Sequence, residues 1–77
     1  MTAFERTLEH FKSLGYRLCV RKSPHRLEND EFLLRSTKDE PYSDVLVFNH
    51  GRGFDNYGFE LRFNADGSFH SHYVGFI

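Results

Sequence analysis

A single cysteine, Cys19, leaves this 77-residue chain without an internal disulfide and without a thiolate cage for a metal. Tryptophan is absent, and only two prolines, Pro24 and Pro41, punctuate the chain. No apolar run approaches the roughly 20 residues of a membrane-spanning helix. The opening Met1-Thr2-Ala3-Phe4-Glu5-Arg6 lacks the apolar stretch of a signal peptide. These absences predict a cytoplasmic protein with no membrane partner. A formal net charge of −1 excludes an overall basic field that would draw in nucleic acid. Catalytic patterns are missing too. There is no Gly-x-Ser-x-Gly elbow and no phosphate-loop pattern, and Asp39, Glu40 and Asp44 fall in a polar stretch with nothing to desolvate them. The expectation is one domain over residues 1–77, not an enzyme, with no cofactor and no metal.

What the chain does have is aromatic mass. Nine Phe and four Tyr bring more area per residue than aliphatic side chains, which suits a core this small. With 39% hydrophobic and 27% charged residues it reads as folded.

The first element predicted is a helix. Thr2 and Glu5 have capping-box spacing, Phe4, Leu8, Phe11 and Leu14 form one stripe, and Gly15 suits the stop. Residues 16–21 alternate like a half-buried strand, with Tyr16, Leu18 and Val20 on one face. Residues 24–36 read two ways. Pro24 suits the first turn of a short helix, while Asn29-Asp30 suits a turn into a strand Glu31–Ser36, the preferred reading. Val45-Leu46-Val47-Phe48 predicts a central strand buried on both faces. Residues 57–63 alternate, Asn64-Ala65-Asp66-Gly67 marks a three-residue hairpin loop, and a last strand follows from Ser68.

That turn predicts a register in which Phe63 faces Phe69, Leu61 faces Ser71 and Phe59 faces Tyr73. The other face then pairs Arg62 with His70 and Glu60 with His72. The fold class expected is α+β: one N-terminal helix packed on an antiparallel sheet of four to five strands, covering Phe59, Leu61, Phe63, Phe69 and Tyr73.

Several groups invite a chemical reading. His70 and His72, with Glu60 opposite, have the alternation of a strand metal site; the plainer reading is a solvated polar face. His50-Gly51-Arg52-Gly53 would wrap an anion, or form an ordinary hairpin loop. Arg17 and Arg21 beside Cys19 would favour a thiolate, though a lone cysteine is more often structural. From Lys12 to Arg26 the basic residues Lys12, Arg17, Arg21, Lys22 and Arg26 meet no acidic one, which keeps a nucleic-acid accessory role open. The following block, Glu28 to Asp44, is acidic, so the two blocks would also pair with each other.

Interaction surfaces remain. Asp30, Glu31, Asp39, Glu40 and Asp44, with Tyr42 as an aromatic anchor among them, suit a basic partner. The apolar end Val74-Gly75-Phe76-Ile77 either buries against Leu46 and Phe48 or forms an exposed pairing edge, which makes a homodimer an option. Phe54 and Tyr57 flank the glycine loop. In length, single-domain economy and lack of catalytic residues, the chain resembles the small stand-alone inhibitors of phages and mobile elements, anti-CRISPR proteins among them. The resemblance covers architecture alone, and no residue is carried over from it. It implies a non-enzymatic inhibitor whose acidic segment imitates nucleic-acid phosphate and occupies a basic channel on a ribonucleoprotein or nuclease. A toxin-immunity protein would share these features. The alternatives are a metal- or small-ligand-binding domain and a nucleic-acid-binding accessory protein.

Overall fold

A computed structural model describes residues 1–49 and 57–76. The glycine loop with His50, Arg52 and Phe54 lies outside the described residues, as does Ile77. Helix α1 spans Ala3–Ser13. Its capping box forms as the spacing requires: Thr2 Oγ1 accepts the Glu5 N–H at 3.1 Å, and Glu5 Oε1 accepts the Thr2 N–H at 2.9 Å. Gly15 follows at φ +96°, where a side chain would be strained.

Five strands follow: β1 Arg17–Cys19, β2 Glu31–Ser36, β3 Asp44–Asn49, β4 Tyr57–Phe63 and β5 Phe69–Phe76. They lie in sequence order in one sheet. The fold is α+β as expected, but the sheet is mixed. β1 runs parallel to β2, with Arg17 opposite Glu31, and the remaining pairs are antiparallel. Parallel neighbours need a crossover, and residues 20–30 supply it. Both readings of that segment hold in part. Ser23 caps a short 3₁₀ turn at Pro24–Arg26, and the strand Glu31–Ser36 follows it. β1 is shorter than its alternation predicts, and Val20 is exposed.

β3 is buried on both faces and separates two cores. On the helix side, Phe32, Leu46, Phe48 and Phe63 pack against Phe4, Leu8 and Phe11. On the far side, Leu27 from the crossover and Tyr42 from the β2–β3 loop cover Leu33, Val45 and Val47. Asn49 Nδ2 donates to the Leu27 carbonyl at 2.7 Å and pins the crossover to β3.

The β4–β5 turn forms as predicted. Gly67 sits at φ +87°, and its N–H reaches the Asn64 carbonyl at 2.9 Å. The helix start also docks here, since the Phe4 N–H meets the Gly67 carbonyl at 2.9 Å. A Cβ on Gly67 would lie 2.6 Å from the Thr2 side chain, so glycine is required by both conformation and space.

The register beyond the turn corrects the sequence expectation. Phe63 does face Phe69, but a bulge then shifts the ladder by one residue. Arg62 faces Ser71, Leu61 faces His72, Glu60 faces Tyr73 and Phe59 faces Val74. One extra residue exchanges the faces of everything after it. Tyr73 therefore leaves the helix side, and His72 and Val74 join it.

Candidate functional site

The basic and acidic blocks meet at one end of the sheet. Arg17 forms an ion pair with Asp30 at 3.0 Å, and Lys22 with Glu31. Parallel pairing of β1 with β2 brings these side chains side by side. Glu31 is buried, and its carboxylate also accepts the Glu28 N–H at 2.9 Å and the Cys19 thiol at 3.2 Å. The Lys22 ammonium, the Glu28 N–H and the thiol together hold the Glu31 carboxyl down at about 2, from an ordinary 4.5. Burial and the Glu31 carboxylate push the Cys19 thiol up. Cys19 is thus a structural donor, and its neighbours Arg17 and Arg21 do not make it a thiolate.

A pH dependence follows. A carboxyl depressed by folding contributes stability above its unfolded value, and that contribution disappears as pH falls through the folded value. Stability should therefore decline between pH 4.5 and about 2, and Glu31→Gln should flatten that part of the profile. Urea midpoints at a series of pH values test this; an unchanged slope in the variant would contradict the pairing.

The far face of the sheet holds a second cluster. Glu60 is only 5% exposed, so this face is not the solvated one expected. Its carboxylate takes Arg35 Nη2 at 3.2 Å, and Arg62 Nε at 3.1 Å and Nη2 at 3.0 Å. The Arg62 guanidinium lies between two rings, 4.8 Å from the Tyr42 centroid and 5.1 Å from that of Tyr73. The bulge makes this sandwich by turning Tyr73 to the far face. It also separates the histidines. The His70 ring lies 5.4 Å from Tyr42, while His72 faces Leu61 on the helix side. Glu60, His70 and His72 therefore do not converge, and no group of three or more His, Cys, Asp or Glu side chains among the described residues is placed to hold a metal ion.

The six residues expected to meet a partner divide. Asp30 and Glu31 stand at the start of β2 and are matched by Arg17 and Lys22. Asp44 pairs with Ser36 at the other end of β2, roughly 15–20 Å away at strand spacing. Tyr42 is 8% exposed and lies within the far-side core, so it is not an exposed anchor. Asp39 and Glu40 are exposed in the β2–β3 loop, near Asp44.

Two carboxylates read in the sequence only as cap and turn residues join them. Asp66 lies in the β4–β5 turn, and Glu5 lies in the first turn of α1, which docks on that turn. Asp44 faces Phe63 across β3–β4, so loop, turn and helix start share one end of the sheet. Hydrogen bonds from Ser68 hold the Asp66 carboxyl below its usual range, and the Thr2 N–H does the same for Glu5. Glu5, Asp39, Glu40, Asp44 and Asp66 share this end with Arg6, Lys38 and the N-terminal ammonium, which acts on Glu5, while Arg35 and Arg62 one residue further in are paired with Glu60. Each carboxylate was visible in the sequence, but which element ends coincide is a property of the topology.

No protein-family model, curated protein or solved structure matches the chain. The site rests on its own geometry. Beside the acidic end runs β5, the outermost strand on that side. Phe69, Tyr73, Val74 and Phe76 are 51%, 39%, 52% and 64% exposed. Val74 and Phe76 are thus largely exposed and are not buried against Leu46 and Phe48, while Ile77 lies outside the described residues. No helix among the described residues is long and apolar enough to cross a membrane.

Proposed function

We infer that the protein is a non-enzymatic binding protein that inhibits a larger macromolecule by occupying a basic site on it. The observation that supports this is the gathering of Asp39, Glu40 and Asp44 with Glu5 and Asp66 at one end of the sheet. Three separate segments contribute to that end, while Asp30 and Glu31 are neutralised at the other. A rigid, negatively charged end speeds encounter with a cationic cleft and disfavours acidic partners. In the reading suggested by anti-CRISPR inhibitors, the carboxylates stand where nucleic-acid phosphates would lie in the channel of a nuclease or ribonucleoprotein. Its place of action is then the cytoplasm, where a lone thiol stays reduced.

The experiment is affinity capture with the tagged protein from lysate of its own cells, washed at low and at high salt. The expected result is a stoichiometric nuclease or ribonucleoprotein at low salt, released by high salt as an exposed charge contact requires. A capture of acidic proteins, or of a partner indifferent to salt, would count against the acidic end.

A further inference from the structure

We propose that Pro41 and Tyr42 are positioning residues that fix the direction in which Glu40 is presented. The proposal rests on the binding role of the acidic end and assigns the geometry of that end to its neighbours in the β2–β3 loop. The five carboxylates gathered there are not held alike. Glu5 accepts the Thr2 N–H at 2.9 Å, Asp44 accepts the Ser36 hydroxyl at 3.2 Å, and Asp66 accepts the Ser68 N–H at 2.9 Å. Asp39 and Glu40 accept no hydrogen bond and form no ion pair among the described residues. No donor competes for their carboxylates, and the backbone alone orients them.

That backbone is held at two places. At the neck of the loop, the Thr37 N–H donates to the Ser43 carbonyl at 2.9 Å, and the Ser43 N–H donates to the Phe63 carbonyl at 2.8 Å. Between them, Tyr42 is the one buried residue. Its ring packs with Leu27, Leu33, Val45 and Val47 in the far-side core. The Arg62 guanidinium lies over the ring, 4.8 Å from its centroid, and is itself fixed by Glu60 at 3.0 Å. The ring cannot swing out without exposing apolar surface and giving up that cation.

Pro41 carries this anchorage to Glu40. The pyrrolidine ring locks the φ of Pro41 at about −65°. Its Cδ also disfavours the helical region for the residue before it, which confines Glu40 to extended backbone. Three successive residues are therefore restrained: Tyr42 by burial, Pro41 by its ring and Glu40 by its neighbour. A carboxylate on such an arm meets a cationic cleft without first losing backbone freedom, which favours binding. Asp39, one residue further from the anchor, lacks this restraint. Pro41 is exposed, so replacing it tests the restraint apart from packing.

Backbone amide nitrogen relaxation on the intact chain tests the restraint. In the wild type, the Glu40 amide should show an order parameter of about 0.85, and Pro41→Gly should lower it below about 0.6. The amides of Val45 to Phe48 report the fold in the same spectra and should keep their values. Tyr42→Leu should loosen Glu40 as well, and Tyr42→Phe, which keeps the ring, should restore it. Capture from lysate then compares wild type and Pro41→Gly as baits. The salt-released macromolecule held by the wild type should bind Pro41→Gly about tenfold more weakly, the cost of ordering one residue's backbone. A mobile Glu40 in the wild type overturns the proposal, as does an amide that stays rigid in both Pro41→Gly and Tyr42→Leu. Equal retention of one macromolecule by both baits overturns it too. A wild-type bait that retains nothing released by salt overturns the acidic-end reading itself, and the positioning role with it.

Discussion

Replacing Phe48 by alanine should remove a large share of the protein's stability. Phe48 is 1% exposed at the centre of β3, on the helix side. Its ring stacks on Phe32 at 5.2 Å and on Phe59 at 4.6 Å, and meets Phe11 of the helix at 4.5 Å. The side chain thus joins three strands, β2 to β4, to α1. Truncating a buried Phe costs about 3–5 kcal/mol, from lost transfer energy and from the cavity left behind. A chain of this size has a total stability of only about 4–11 kcal/mol. The thermal midpoint should fall by roughly 15–30 °C, followed by circular dichroism. Phe48→Leu should recover much of the loss. A fall of only a few degrees in Phe48→Ala would mean that the aromatic stack does not hold the helix to the sheet.

Reversing charge at the acidic end should have the opposite profile, with large loss of binding and little loss of fold. Asp39 and Glu40 are exposed in the β2–β3 loop and form no ion pair among the described residues. Substitutions at such positions usually change stability by less than about 0.5 kcal/mol. Lysine at both sites replaces attraction to a basic cleft by repulsion, and like charges juxtaposed at an interface cost several kcal/mol. The affinity of Asp39→Lys with Glu40→Lys for the captured partner should fall at least about 100-fold, or roughly 3 kcal/mol. Titration calorimetry reads this against the wild type, with melting curves to verify the fold. Unchanged affinity would remove these two residues from the contact.

The parts of the fold that were legible in the sequence are those fixed by local chemistry. The Thr2–Glu5 capping box and the Phe4, Leu8, Phe11 stripe define α1 within one span of chain. The Asn64–Gly67 turn is dictated by its own backbone angles, and the apolar run at 45–48 announces a strand buried on both faces. The bulge opposite Arg62 had no such sign. It depends on how β5 relaxes against β4, and its single extra residue reassigned Tyr73, His72 and Val74 to new faces. The parallel pairing of β1 was equally hidden, because alternation assigns side chains to faces and does not choose the direction of the neighbouring strand. The candidate site suffered most from this. Charge opposition between the two blocks was readable, and it is realised in Arg17–Asp30 and Lys22–Glu31. That Glu5 and Asp66 join Asp39 and Glu40 follows only once the helix start is seen on Gly67. Tyr42 and Glu60 look like surface residues by type; packing of Tyr42 on Leu27, Leu33, Val45 and Val47, and pairing of Glu60 with Arg35 and Arg62, account for their burial.

The most direct test of the account is parallel capture from one lysate with three baits at low salt. The baits are the wild type, Asp39→Lys with Glu40→Lys, and a basic-segment control, Lys12→Glu with Arg21→Glu. The account predicts one stoichiometric macromolecular partner on the wild type and on the control, and its loss from the acidic-end variant alone. A partner retained by the acidic-end variant, or lost only from the control, would contradict binding through the acidic end.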